Sequence, residues 1–170
     1  ALRSVAGADL TQANRQAADS HRQPASPGAG GATTLGLEPF DDKRTIVIGS
    51  STGGPDAVEQ VMGELPAGDA RVIIVQHMPE AFTERFAARL DNASRYDVRE
   101  ATDGARIGAG EAVVARGGSH LGIAGYGKGR IRLELIEEDR GHSVRPAVDE
   151  TMAAIAAQID DPLTGVILTG

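Results

Sequence analysis

The sequence predicts an α/β fold in three layers, with a mostly parallel sheet and an antiparallel excursion. Three observations predict it. Two consecutive segments, over 45–65 and 72–90, read strand, loop, helix; the stretch from Asp97 to Glu138 reads as short strands broken by glycine pairs; and a helix followed by a strand closes the pattern over 147–168. Successive strand and helix units imply parallel pairing, because a strand can return in the same direction only by crossing a face of the sheet.

Each element has a local cause. Thr45-Ile46-Val47-Ile48 is a β-branched, uniformly apolar run, as expected of a strand covered on both faces. A glycine-rich turn follows, and Pro55 suits the first position of a helix, where the missing N–H has no helical acceptor in any case. Ala57, Val58, Val61, Met62 and Leu65 then fall at helical spacing until Pro66-Ala67-Gly68 stops them. Val72-Ile73-Ile74-Val75 repeats the buried strand, Gln76-His77-Met78-Pro79 forms the turn, and the next helix is expected to carry Phe82, Phe86 and Leu90 on one face.

Within the excursion, strands are expected at 98–102, 112–115, 121–124 and 130–136, the last alternating polar and apolar as a half-exposed antiparallel strand does. The helix over 147–159 shows Val148, Met152, Ile155, Ala156 and Ile159 on one stripe, and Asp160-Asp161-Pro162 ends it. Residues 165–168 read as a last buried strand.

Composition bounds the function. At 170 residues, with 41% hydrophobic and 24% charged residues, the chain is expected to be one domain plus a tail. Residues 11–42 turn to Ala, Gly, Ser, Gln and Pro, including Pro27-Gly28-Ala29-Gly30-Gly31, with little apolar surface to offset ordering, and read as a flexible linker. Residues 1–10 read as the last turns of something upstream. The chain opens on Ala and stops at Leu168-Thr169-Gly170, so both ends look cut. With 24 acidic against 17 basic residues and a net charge of −7, a nucleic-acid partner is not expected, and a cytoplasmic protein is. There is no cysteine, which removes disulfides, thiolate catalysis and Cys-ligated metal, and the 4 scattered His leave little for a metal site. No apolar run approaches the roughly 20 residues of a membrane span, so no membrane insertion is expected.

Two places carry candidate chemistry. Gly49-Ser50-Ser51-Thr52-Gly53-Gly54 lies between a buried strand and a helix start and contains G-x-S-x-G centred on Ser51. Flanking glycines allow a tight turn that lifts the hydroxyl clear of the sheet, near the amides of the helix start. The same loop also fits a phosphate cradle or a plain turn. It lacks the Lys of a Walker loop and the spacing of a dinucleotide fingerprint, which weakens the phosphate- or nucleotide-binding alternative. His77 follows the second strand directly, on the sheet edge where Ser51 also lies, and histidine is the side chain type that most often serves as a base; a lone loop histidine is otherwise a surface or capping residue.

Five ordered segments now combine: Ile48-Gly49-Ser50-Ser51-Thr52-Gly53-Gly54-Pro55, Val75-Gln76-His77-Met78-Pro79, Ala115-Arg116-Gly117-Gly118-Ser119-His120, Arg145-Pro146-Ala147-Val148-Asp149, and Gly165-Val166-Ile167-Leu168-Thr169-Gly170. Together, residues 45–170 resemble the catalytic domain of CheB-type chemotaxis protein-glutamate methylesterases, which also deamidate receptor glutamines. The resemblance implies a serine hydrolase acting on glutamate γ-methyl esters of methyl-accepting chemoreceptors, with Ser51 as nucleophile, His77 as general base, and no metal or organic cofactor. It implies that residues 43–170 are the methylesterase domain, incomplete at the C-terminal end, with residues 1–10 the remnant of a receiver domain through which a histidine kinase would act. The family's triad acid lies in a Met-Gly-x-Asp-Gly segment directly after Leu-Thr-Gly, and its oxyanion donor is a backbone amide there. The chain as it stands is therefore expected to be inactive.

Some positions depart from the resemblance or stand outside it. Arg116 replaces a common Pro, and Val144 a frequent His. His120 and Arg145 fit pocket lining or loop hydrogen bonding. His21 and His142 match nothing and are expected in solvent. Arg85 and Arg89 could meet an acidic receptor surface, although solvated helix charge is the simpler reading. Asp149, in the first turn of its helix, suits dipole stabilisation.

Overall fold

The computed structural model describes residues 44–66, 68–138, 141 and 143–170. The expected receiver remnant, the linker, Lys43, His21, Ala67 and His142 lie outside the described residues. In chain order the elements are β1 (Thr45–Ser50), α1 (Gly54–Glu64), β2 (Arg71–Gln76), α2 (Glu80–Ala93), β3 (Asp97–Glu100), β4 (Arg106–Ile107), β5 (Glu111–Val114), β6 (His120–Gly127), β7 (Arg130–Ile136), α3 (Val148–Gln158) and β8 (Leu163–Ile167).

A five-stranded sheet runs in the order β3-β5-β2-β1-β8, and its neighbouring strands pair in parallel. A three-stranded antiparallel sheet has the order β4-β7-β6. The mostly parallel fold with an antiparallel excursion is thus present, and the excursion is narrower than the 97–138 read from sequence. β3 and β5 lie in that stretch, yet both pair in parallel within the larger sheet. Their short apolar pattern is the same for either pairing; the partner strand decides.

Alternation along the parallel strands builds the layers. Val47, Ile73, Val75 and Val113 pack with Leu121, Ile123, Ile131 and Leu133 of the small sheet and with Ile155. Their neighbours Ile48, Val72, Ile74, Ala112 and Val114 pack with Val58 and Met62 of α1 and with Phe86, Ala87 and Leu90 of α2. Side chains alternate faces at every residue, so a run apolar throughout serves two cores at once.

Three sequence expectations are corrected. Phe82 is 54% exposed, and the buried face of α2 is Thr83, Phe86, Ala87 and Leu90. A four-residue spacing overshoots the helical turn by about 40° each time, so 82, 86 and 90 drift around the helix. Along α3 and its C-cap the expected stripe holds at Val148, Met152, Ile155 and Ile159, which pack into the core together with the buried Thr151, while Ala156 is exposed. β8 is not a buried strand. It is an edge strand beside β1, with Ile167 62% exposed, and no strand covers its outer side among the described residues. Among those residues, no helix is long and apolar enough to cross a membrane.

Candidate active site

β1 and β2 run in register, Ser50 opposite Gln76, so the residues that follow them emerge side by side. The His77 N–H continues the ladder to the Ser50 carbonyl at 3.0 Å. Beyond Ser50 the chain turns sharply: Gly53 caps α1 with φ +73°, a left-handed conformation costly for a residue with a Cβ, and the Gly54 N–H closes onto the Ser51 carbonyl at 2.9 Å. Gly49 is needed for a second reason. A Cβ there would meet Val148 at 2.4 Å and Ile167 at 2.8 Å.

The turn leaves Ser51 half-buried, with its Oγ 3.2 Å from Nδ1 of the half-buried His77. Both expected site residues are brought together, within the reach required of a nucleophile and its base. Each backbone group of Ser51 is held. Its N–H donates to Thr169 Oγ1 at 2.9 Å, and its carbonyl accepts Gln76 Nε2 at 2.9 Å besides the Gly54 N–H. The end of β2 and the segment that follows β8 therefore hold the Ser51 peptide from both sides of β1.

A cavity of about 300 Å³ opens beside His77, lined among others by Val144, Val148, Asp149, Met152 and Ile167. Its walls are largely apolar, and Asp149 brings a carboxylate to the same opening as the imidazole. His120 is otherwise employed: it is buried, and its Nδ1 accepts the Ala147 N–H at 3.2 Å, holding the start of α3. Arg145 donates to the Glu137 carbonyl at 2.8 Å and lines a second opening with Arg116, Glu80 and Glu137. Glu80 holds the Arg116 guanidinium above its ordinary pKa through a hydrogen bond and its charge. Arg89 is engaged by Glu59 and Asp56 of α1 and is not a free docking cation.

Gln76 and Thr169 escaped the sequence reading as site residues. A signal was present for Gln76, since a polar residue ending an apolar run, one place before His77, stands where strand side chains meet the loops. Thr169 stands in the last of the five resembling segments, but nothing local pointed to Ser51, because their contact spans the whole domain.

The family described as CheB methylesterase matches residues 46–170. The chain belongs to this family. Similar relatives named protein-glutamate methylesterase/protein-glutamine glutaminase include one from Natronomonas pharaonis, 53% identical over 99% of this chain and 47% of its own length. Another, from Halobacterium salinarum, is 50% identical over 100% of this chain and 47% of its own. The chain thus spans about half the length of these curated relatives. The crystal structure of the Thermotoga maritima CheB methylesterase catalytic domain superposes with a TM-score of 0.69 at 40% identity, covering 74% of this chain and 67% of that one. That likeness extends the CheB family assignment from sequence to the fold: the mostly parallel sheet with its small antiparallel partner.

Proposed function

We propose that this chain carries the reaction centre of a serine hydrolase that removes γ-methyl esters from chemoreceptor glutamates and deamidates receptor glutamines. The observation that carries the reading is the 3.2 Å approach of Ser51 Oγ to His77 Nδ1 at the open end of two adjacent parallel strands. The names of the relatives agree with ester and amide chemistry at a glutamyl side chain.

With its proton on Nε2, His77 offers Nδ1 as acceptor for the Ser51 hydroxyl. Oγ bonds to the ester carbonyl carbon as its proton passes to Nδ1. The bond to the methoxy oxygen then breaks, and methanol leaves with that proton. Water next yields a proton to Nδ1 while its oxygen joins the acyl carbon; the bond to Oγ breaks, Oγ recovers the proton, and glutamate remains. For glutamine, ammonia replaces methanol.

The remaining expectations belong to the same proposal: residues 43–170 as the methylesterase domain, 11–42 as linker, 1–10 as the remnant of an upstream receiver domain through which, when whole, a histidine kinase acts, and work in the cytoplasm. The triad acid is proposed to follow Gly170, with Asp149 as the alternative inside the chain, since it shares the cavity with His77. Methanol release from methylated receptor, measured for residues 43–170 and for a chain carried on through the length of its relatives, tests this. Release only from the longer chain, abolished when the first Asp after Gly170 becomes Asn, is the expected result. Equal release from both would move the acid to Asp149. No release from either, with Ser51 also unreactive to a serine-directed phosphonate, would overturn the hydrolase reading.

A further inference from the structure

We infer that Gln76 is the positioning residue of the Ser51 and His77 pair, its one carboxamide locking the nucleophile loop to the base loop. The inference rests on the reading of Ser51 as nucleophile. Gln76 ends β2 opposite Ser50 and is 2% exposed. Its Nε2 donates to the carbonyls of both Ser51, at 2.9 Å, and His77, at 3.1 Å, while its Oε1 accepts the Ser50 hydroxyl at 2.6 Å.

The partners fix the chemistry required. Two carbonyls can only accept, so they need the two N–H groups of a primary amide; the Ser50 hydroxyl donates, so it needs the amide oxygen. A glutamate at 76 would face both carbonyls with acceptors alone. A leucine or methionine would fill the volume and take the amide donor away from both carbonyls, leaving Ser51 with the Gly54 N–H alone and His77 with no bond from Gln76. Ordering a flexible glutamine in a core also costs more side-chain entropy than a leucine would. Volume alone therefore does not account for this residue.

Space is kept for the carboxamide as well. A Cβ on Gly54 would lie 2.0 Å from Gln76 Oε1 and 2.8 Å from the Ser50 Cβ, so the helix start can hold only glycine while Gln76 stays in place. What Gln76 controls is the orientation of the peptide planes after Ser51 and after His77. The ladder bond from His77 N–H to Ser50 fixes the strands but not those planes. At 3.2 Å, the Oγ to Nδ1 approach stands at the outer limit of a hydrogen bond. A small rotation of either plane breaks it, and displacements near 1 Å cost about 10²-fold in rate.

The experiment uses Gln76→Met, Gln76→Glu and Gly54→Ala in a chain carried through the length of its relatives. A fluorophosphonate is the probe, followed by mass spectrometry for both the rate and the final extent of Ser51 labelling, alongside kcat and KM for methanol release. We expect complete labelling at a rate lowered about 10- to 100-fold, with kcat reduced in proportion and KM unchanged. Gly54→Ala should share the loss, because it displaces Gln76 without altering its chemistry. Incomplete labelling at the parent rate per reactive molecule would mean that Gln76 serves folding only, and would overturn the inference. Full labelling at the parent rate would overturn it too. If the parent is unlabelled, or Ser51→Ala is labelled equally, the nucleophile reading itself fails and the inference falls with it.

Discussion

The two edges of the parallel sheet carry polar clusters built on the same pair of strands, β1 and β2, and they are finished in opposite ways. At the amino edge, Arg71 is fully buried. Its Nε donates to Thr45 Oγ1 at 2.9 Å, one terminal nitrogen donates to the Gly129 carbonyl at 2.9 Å, and the other meets Asp161 at 2.6 Å. Tyr126 lies under the guanidinium, 5.0 Å from its ring centre, and donates its own hydroxyl to Asp161. At the carboxyl edge the buried polar groups, Ser50 and Gln76, are neutral, and they spend their hydrogen bonds on backbone and on each other. Ser51 and His77, the proposed nucleophile and base, stay half-buried, with a cavity beside His77. A buried charge is tolerable only when wrapped on every side, whereas a nucleophile must keep one side open. One edge closes around a buried charge; the other keeps the opening that the proposed chemistry requires.

The sharpest way to break this comparison is at the carboxyl edge. Ser51→Ala is expected to remove nearly all methanol release, and His77→Gln to lower it by about 10³ to 10⁴, in a chain carried through the length of its relatives. Neither should shift the urea unfolding midpoint appreciably, since neither group fills the core. Release within a few-fold of the parent for either variant would refute that assignment.

Arg71→Met applies the opposite blow. It leaves Asp161 and Thr45 without their buried partner, and the expected loss is about 3 kcal/mol of stability, the lower end for a broken buried pair, because Asp161 is 25% exposed. Phosphonate labelling per folded molecule should stay at the parent rate. Equal losses of labelling rate and stability would show that the two edges are not independent.

Glu111 gives a smaller, pH-dependent effect. Burial works against its charged form, yet the Gly108 N–H at 2.6 Å together with Arg130 and Arg99 outweighs burial and holds its pKa below the ordinary carboxylate value. A lowered folded-state pKa means that the contribution is present above the unfolded value and fades as pH falls through the folded one. Glu111→Gln should therefore cost up to about 1 kcal/mol at neutral pH and progressively less below the ordinary carboxylate range, as read from unfolding midpoints across pH. A cost that grew on acidification would reverse the sign. Smallest of all, Arg89→Ala, which breaks exposed pairs to Asp56 and Glu59, is expected to change stability by less than about 1 kcal/mol.

Where structure is local, the sequence was legible. The strand read at 130–136 coincides with β7, because its alternation records one wet and one dry face along a single segment. The runs that became β1 and β2, and the turns that present Ser51 and His77, were equally plain, since glycine and proline dictate backbone shape without help from afar. Pairing was not legible. β3 and β5 join the parallel sheet because Val98 and Ala112 find each other and Val72 across many residues of chain.

By itself, then, the sequence determined the identity of the elements, the two-faced core of the central strands and the pair of residues that meet at their ends. Only the tertiary structure decided that Phe82 faces solvent, that β3 and β5 join the parallel sheet, and that Gln76 and Thr169 close upon the peptide of Ser51. The physical reason is range. Periodicity and turn chemistry act over a few residues and leave a trace in the order of amino acids, while a hydrogen bond between Ser51 and Thr169 exists only once two distant strands lie 4.7–4.9 Å apart in a finished sheet, to use roughly the spacing common to all sheets.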